Sequence, residues 1–262
     1  MYPACRMYLI SGRISRGNPK EKLNKENEEK EGKIMTQGLL CQNLEKHVLS
    51  TAKWSYESIK ERLIIRPINY TDHQHELRDI VCKVCGDIAL VLYAILYDDA
   101  IGLGTTKVNK ECLEIWMKET DEVFEDAMNN TYLKALPRLY LNPLDANNPT
   151  YKKGAFMSAN SKITKIGEMQ APMVTTTRQI NGAIVMFYPE VKERLAELFD
   201  GSFYIAFTSI HEARIHRVGS VTPRMILRTL NEVNSIFPGN EVLSRKVFLY
   251  DAESKKMEAL ML

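Results

Sequence analysis

Apolar positions along the chain follow two periods, and each change of period marks an element. Leu39, Leu40, Leu44, His47 and Val48 recur at helical spacing and predict a helix of about three turns. Leu63-Ile-Ile-Arg-Pro-Ile68 reads as a strand, and Pro67 confines it to a sheet edge or a bulge because proline has no N–H to give the ladder. Residues 88–96 are apolar without interruption, which predicts a strand buried on both faces, with a buried helix as the alternative. Asp98-Asp99 ends that run, and residues 101–108 return antiparallel beside it. Helices follow over residues 110–118 and 120–132, the second opening at Thr120 with Val123, Phe124 and Ala127 as its apolar face.

The stretch over residues 172–218 is the most heavily punctuated. Strands over residues 172–177 and 183–187 flank Asn181-Gly182, a dipeptide suited to the positive φ angles of a type I′ turn, and so predict a hairpin. Tyr188-Pro189 opens a helix striped by Val191, Leu195, Leu198 and Phe199, with Gly201 as its left-handed exit. Residues 202–208 alternate, so Phe203, Ile205 and Phe207 share a face. If the strand continues, Ser209 and His211 lie on that face and Glu212 on the other.

A last unit repeats this grammar. Thr222 caps and Pro223 begins a helix lined by Ile226, Leu230, Val233 and Phe237, which Pro238-Gly239 ends. Residues 247–250 and 257–260 pair around Asp251-Ala-Glu-Ser254. The fold class is α+β: an antiparallel or mixed sheet built from hairpins and packed by several amphipathic helices. It occupies residues 37–262 as one domain, with a loop or subdomain linker near 141–171.

Composition changes this picture mainly at the N-terminal end. The 262 residues carry a net charge of +2, and residues 1–33 hold eight Lys or Arg against five Glu, leaving the remainder close to neutral. Specific nucleic-acid binding, which usually demands a strong basic excess, is therefore not expected. Between Gly12 and Lys33 only Ile14 and Leu23 are apolar, so residues 1–36 are expected to be a disordered charged tail, with Met35 as an alternative start of translation. Five cysteines without a disulfide-framework spacing point to a reducing, cytoplasmic compartment. No apolar run approaches the roughly 20 residues needed to span a bilayer, so no membrane association is expected.

Several short strings together resemble a known family. Glu61-Arg-Leu-Ile-Ile-Arg-Pro-Ile-Asn-Tyr70, Gly86-Asp87 before the long apolar run, Ile180-Asn-Gly-Ala183, Tyr188-Pro189 and Ser209-Ile-His-Glu212 are similar to the domain of unknown function 5688 family. The resemblance covers roughly residues 50–260. It implies a bacterial cytoplasmic protein, of a kind found mainly in gut Firmicutes, and assigns no catalytic residue. Members of the family usually carry a further α/β segment upstream, where this chain has its charged tail.

Three groups of residues carry possible chemistry. His211-Glu-Ala-Arg-Ile-His216 places its histidines five apart, about 140° apart around a helix, whereas a zinc protease needs them four apart on one helical face. Ser209, His211 and Glu212 could be parts of a hydrolytic site with His211 as base, although the glycine-flanked elbow of such nucleophiles is absent. The structural alternative has His211 bonding across the sheet and Glu212 pairing with Arg214 or Arg217. His73, His75, Cys82 and Cys85 could hold zinc through two imidazoles and two thiolates, or Cys85 could simply be a core residue. Gly102-Leu-Gly104-Thr-Thr-Lys107 leads into a strand and lacks the ending of a phosphate loop. Abundant fold punctuation without a complete catalytic set makes a non-catalytic module for a protein or small-molecule partner the leading expectation. A hydrolase and a zinc-stabilised module are the alternatives.

Overall fold

The computed structural model describes residues 54–98, 103–147 and 154–262. The predicted tail, the alternative start at Met35 and the helix over residues 39–48 lie outside the described residues.

The first sheet is built around the uninterrupted apolar run. A short helix, α1 (Tyr56–Ile59), and a 3-10 turn (Lys60–Arg62) lead into β1 (Leu63–Asn69). A one-turn helix, α2 (Tyr70–His73), precedes β2 (Cys82–Cys85), β3 (Ile88–Asp98) and β4 (Leu103–Lys107). β3 pairs antiparallel with β1 along one edge, and with β2 and then β4 along the other. Its Ile88, Leu90, Leu92 and Ala94 face the main core, while Ala89 and Val91 face a smaller cluster with Leu77 and Ile80. Both faces are therefore buried, which is why the run never alternates. Pro67 lies in an edge strand, as expected, and the Ile65 N–H on that edge donates to Thr131 Oγ1 at 2.8 Å.

Two helices then cross over to a second sheet: α3 (Lys110–Trp116) and α4 (Thr120–Lys134), the latter burying Val123, Phe124 and Ala127 as predicted. The chain continues through β5 (Pro137–Tyr140), a 3-10 turn (Pro143–Asn147) and β6 (Met173–Thr176). A 3-10 segment (Gly182–Phe187) and α5 (Val191–Phe199) precede β7 (Phe203–Ser209) and β8 (Glu212–Arg217). α6 (Pro223–Asn234), a 3-10 turn (Gly239–Glu241), β9 (Val247–Asp251) and β10 (Lys256–Ala259) complete the described chain. The six strands run in the order β10-β9-β7-β8-β6-β5, each paired antiparallel with its neighbours, so the α+β expectation holds.

One core joins the two sheets. Leu63, Leu92, Phe203, Phe207 and Phe248 are all fully buried in it, with α5 packed alongside through Val191, Leu195, Leu198 and Phe199. The opposite face of the second sheet packs Ala206 and Val247 against Ile226 and Leu230 of α6. Thr222 caps that helix by accepting from the Met225 N–H at 3.3 Å, and Pro223 follows at its first turn. Phe156 and Ile166, within the predicted linker, are fully buried in the main core.

Three local expectations are corrected. Gly182–Phe187 is a 3-10 helix and not a strand, because β5 and β8 already occupy the two edges of β6. Buried without a strand to pair with, the segment satisfies its amides internally and across the fold: Tyr188 N bonds Val185 O at 3.2 Å and Ala183 N bonds Ile210 O at 3.2 Å. The left-handed residue after α5 is Asp200 (φ 58°), one place before Gly201. The strand carrying Ser209 stops there: Ile210-His211 form a turn, and β8 starts at Glu212.

Candidate functional site

The turn at Ile210-His211 brings two of the sequence motifs together. Ser209 and Glu212 are partners across the hairpin, so these two lie side by side and His211 sits at the tip, the reverse of the grouping expected from alternation. The Asn181 N–H, held at φ 52°, donates to His211 Nδ1 at 3.1 Å. Thr175 Oγ1 donates to His211 O at 2.8 Å, and the Ile210 N–H donates to Glu241 O at 2.9 Å. Gly182 permits this close packing, since a Cβ there would lie 2.1 Å from Thr175 Oγ1 and 2.3 Å from His211 O.

The polar groups of this motif are directed at one another's backbone and not at a common reaction centre. Ser209, only 3% exposed, accepts the His211 N–H on its hydroxyl oxygen at 3.0 Å. Glu212 accepts from the Thr208 hydroxyl at 3.0 Å. The bond from Asn181 makes Nδ1 the acceptor of the half-buried ring and so assigns the imidazole proton to Nε2. A histidine in this state cannot take a proton from Ser209 without first releasing Asn181.

The four thiol and imidazole residues are distributed differently. Cys82 pairs with Val91 and Cys85 with Ile88, so the two thiols project from opposite faces of the first sheet, Cys82 toward the small cluster and Cys85 toward the main core. Burial pushes both thiols upward in pKa. His73 Nδ1 lies 3.3 Å from Glu76 Oε1, and His75 is exposed. Among the described residues no group of three or more His, Cys, Asp or Glu side chains converges in a way that could hold a metal ion. Leu103–Lys107 is strand β4, and Gly104 is pressed against the Tyr97 ring.

With this geometry in view, the family model described as "Family of unknown function (DUF5688)" matches residues 26–252. The chain belongs to this family. The match starts at residue 26 where the sequence resemblance was expected from about residue 50, so it takes in part of the charged stretch. No curated protein and no solved structure gives a match.

The motifs that marked the DUF5688 resemblance acquire structural roles. Tyr188 is fully buried, and its hydroxyl lies 3.0 Å from Ala135 O and 3.2 Å from Thr131 O, at the end of α4. Asp87 lies in the β2–β3 turn, where its carboxylate accepts from the Ser244 hydroxyl and the Arg245 N–H. Composition could not reveal a further cluster near α5. Burial lowers the pKa of Lys192, whose ammonium donates to Met186 O at 3.2 Å and also interacts with Cys85 and Glu193. Burial and then Glu193 push Tyr250 up to about 12. Adjacent in sequence, Lys192 and Glu193 read as ordinary helix surface, and only the fold brings Lys192 beside Cys85 of β2 and Glu193 beside Tyr250 of β9.

Proposed function

We propose that this protein is a non-catalytic binding or interaction module. The observation that supports this reading is the direction of the bonds around His211: its Nδ1 accepts from Asn181, while Ser209 and Glu212 are engaged within the hairpin. A hydrolytic arrangement needs the hydroxyl and the imidazole to face one another, and here both brace a turn. Free thiols at Cys82 and Cys85 are in keeping with a cytoplasmic setting, and no helix among the described residues is long and apolar enough to cross a membrane.

The test is a panel of ester, amide, phosphoester and glycoside substrates assayed with the full chain and with His211→Ala. The expected result is no turnover above buffer for either protein. Turnover by the native chain that disappears in a cooperatively folded His211→Ala variant would replace this reading with the hydrolase.

A further inference from the structure

We infer that the cleft between β2 and the α3–α4 corner binds a short peptide by its two free termini. This inference rests on the binding-module reading and names the ligand class.

The cleft has a volume of about 400 Å³, within the range of small-ligand sites. Val81, Leu113 and Met117 supply its apolar lining. Charges of both signs line it as well: Lys110 opens α3, Glu114 lies one turn on, and Glu119 directly precedes α4. None of these three takes part in an ion pair among the described residues, whereas Lys118 beside them is paired with Glu122. Lys110 and Glu114 stand four apart on one helix, the spacing at which opposite charges usually meet. Instead the Lys110 ammonium donates to Arg78 O at 2.7 Å, in the connection before β2. Two of its protons are left for a ligand.

A cation and two carboxylates without partners around one apolar cleft match a zwitterion, with its carboxylate at Lys110 and its ammonium at the glutamates. Spacing then sets the length of that ligand. The helix rises about 9 Å from Lys110 to Trp116, and Glu119 lies beyond that end. A free amino acid carries both charges within one residue, about 3.5 Å, and cannot serve both ends. Two or three extended residues can. The cleft also borders backbone that an extended peptide uses. Cys82, on its wall, belongs to β2, which pairs with β3 along one edge and has no strand along the other among the described residues. A peptide adds to such an edge through main-chain hydrogen bonds.

The probe is trialanine at millimolar concentration, titrated into the full chain by calorimetry. Binding should be seen, and should weaken about fivefold or more for free alanine and for N-acetyl-trialanine amide, whose ends carry no charge. Lys110→Gln, and Glu114→Gln combined with Glu119→Gln, should each weaken trialanine binding about fivefold, the worth of one exposed ion pair. These side chains are exposed, so circular dichroism should report an unchanged fold. Cys82 gives the location independently: bound trialanine should slow its alkylation by N-ethylmaleimide, mapped by mass spectrometry, and leave the rate at Cys85 on the opposite face unchanged. Absence of both heat and Cys82 protection overturns the proposal. So does binding that survives blocked termini, that alanine equals, or that neither variant weakens. Those failures leave the non-catalytic reading standing, with a partner elsewhere on the surface. Trialanine that binds and is then cleaved would keep the site and sink the non-catalytic reading.

Discussion

The Ser244 hydroxyl donates to Asp87 Oδ1 at 2.6 Å across 157 residues of sequence, and the neighbouring Arg245 N–H donates to Asp87 Oδ2 at 2.9 Å. Asp87 sits in the β2–β3 turn and Ser244 in the segment entering β9, so this one carboxylate ties the first sheet to the second. Asn69 strengthens the tie from β1, its side-chain amide donating to Leu243 O at 3.1 Å.

Asp87→Ala should therefore cost about 3 kcal/mol, because it leaves the buried Ser244 hydroxyl and the part-buried Arg245 N–H without their charged acceptor. Ser244→Ala should cost about half as much, roughly 1.5 kcal/mol. Since both act through one node, the double variant should cost little more than Asp87→Ala alone. Urea denaturation measures all three, and strictly additive costs would mean that the two residues stabilise the fold independently.

Gly182→Ala tests the clasp at His211. A Cβ there meets the His211 carbonyl, which is backbone and cannot swing aside, so a loss of about 2 kcal/mol or more is expected. Gly239→Ala is the control: its Cβ would meet nothing within 4 Å and its stability should change by less than about 0.5 kcal/mol. Equal effects at the two glycines would contradict the close approach.

His216 gives the molecule a specific acid sensitivity. Burial first, and then the Arg214 charge, lower its pKa from 6.5 to about 4. The unfolded chain thus takes up this proton at a higher pH than the folded one. Stability from this residue is fully present above pH 6.5 and is lost as the pH falls toward about 4, by up to about 3 kcal/mol. In urea titrations at pH 7 and pH 4.5, His216→Gln should lose less stability than the native chain. A parallel loss in both would assign the acid sensitivity elsewhere.

The opposed thiols of Cys82 and Cys85 lead to an expectation about zinc. A four-ligand site would need both sulfurs on one side of β2, and the strand period places them on two. Purified protein should keep the same melting temperature with a chelator or with added zinc. Stoichiometric zinc that is lost with a fall in melting temperature would require β2 to be remodelled.

Tyr188→Phe removes the hydroxyl that reaches the Thr131 and Ala135 carbonyls while retaining the buried ring. A loss of about 1 kcal/mol by thermal or urea unfolding is expected, against a far larger one for Tyr188→Ala. A neutral Tyr188→Phe would mean that the α4 carbonyls are satisfied another way.

The elements most legible in the sequence were those whose pattern reports their own burial. β3 declared itself by an unbroken apolar run, α5 by the stripe Val191, Leu195, Leu198 and Phe199, and α6 by Thr222-Pro223. Gly182–Phe187 misled because its apolar residues fit a strand as readily as any buried segment, and Asn181 did adopt the positive φ that a hairpin turn would have used. What denied it a strand was the occupancy of both edges of β6, a property of distant residues.

The candidate site divides in the same way. Sequence alone determined that an alternating strand leads up to Ser209, that the two histidines lack the four-residue spacing of a zinc protease, and that the fold is α+β with strands in hairpins. Tertiary structure decided that Asn181 binds His211, that Thr175 closes over its carbonyl, and that Cys82 and Cys85 face different cores. The physical reason is range. Periodicity and turn chemistry act over a few neighbouring residues and are written locally, whereas a hydrogen-bond partner or a strand edge is assigned only when segments far apart compete for the same space.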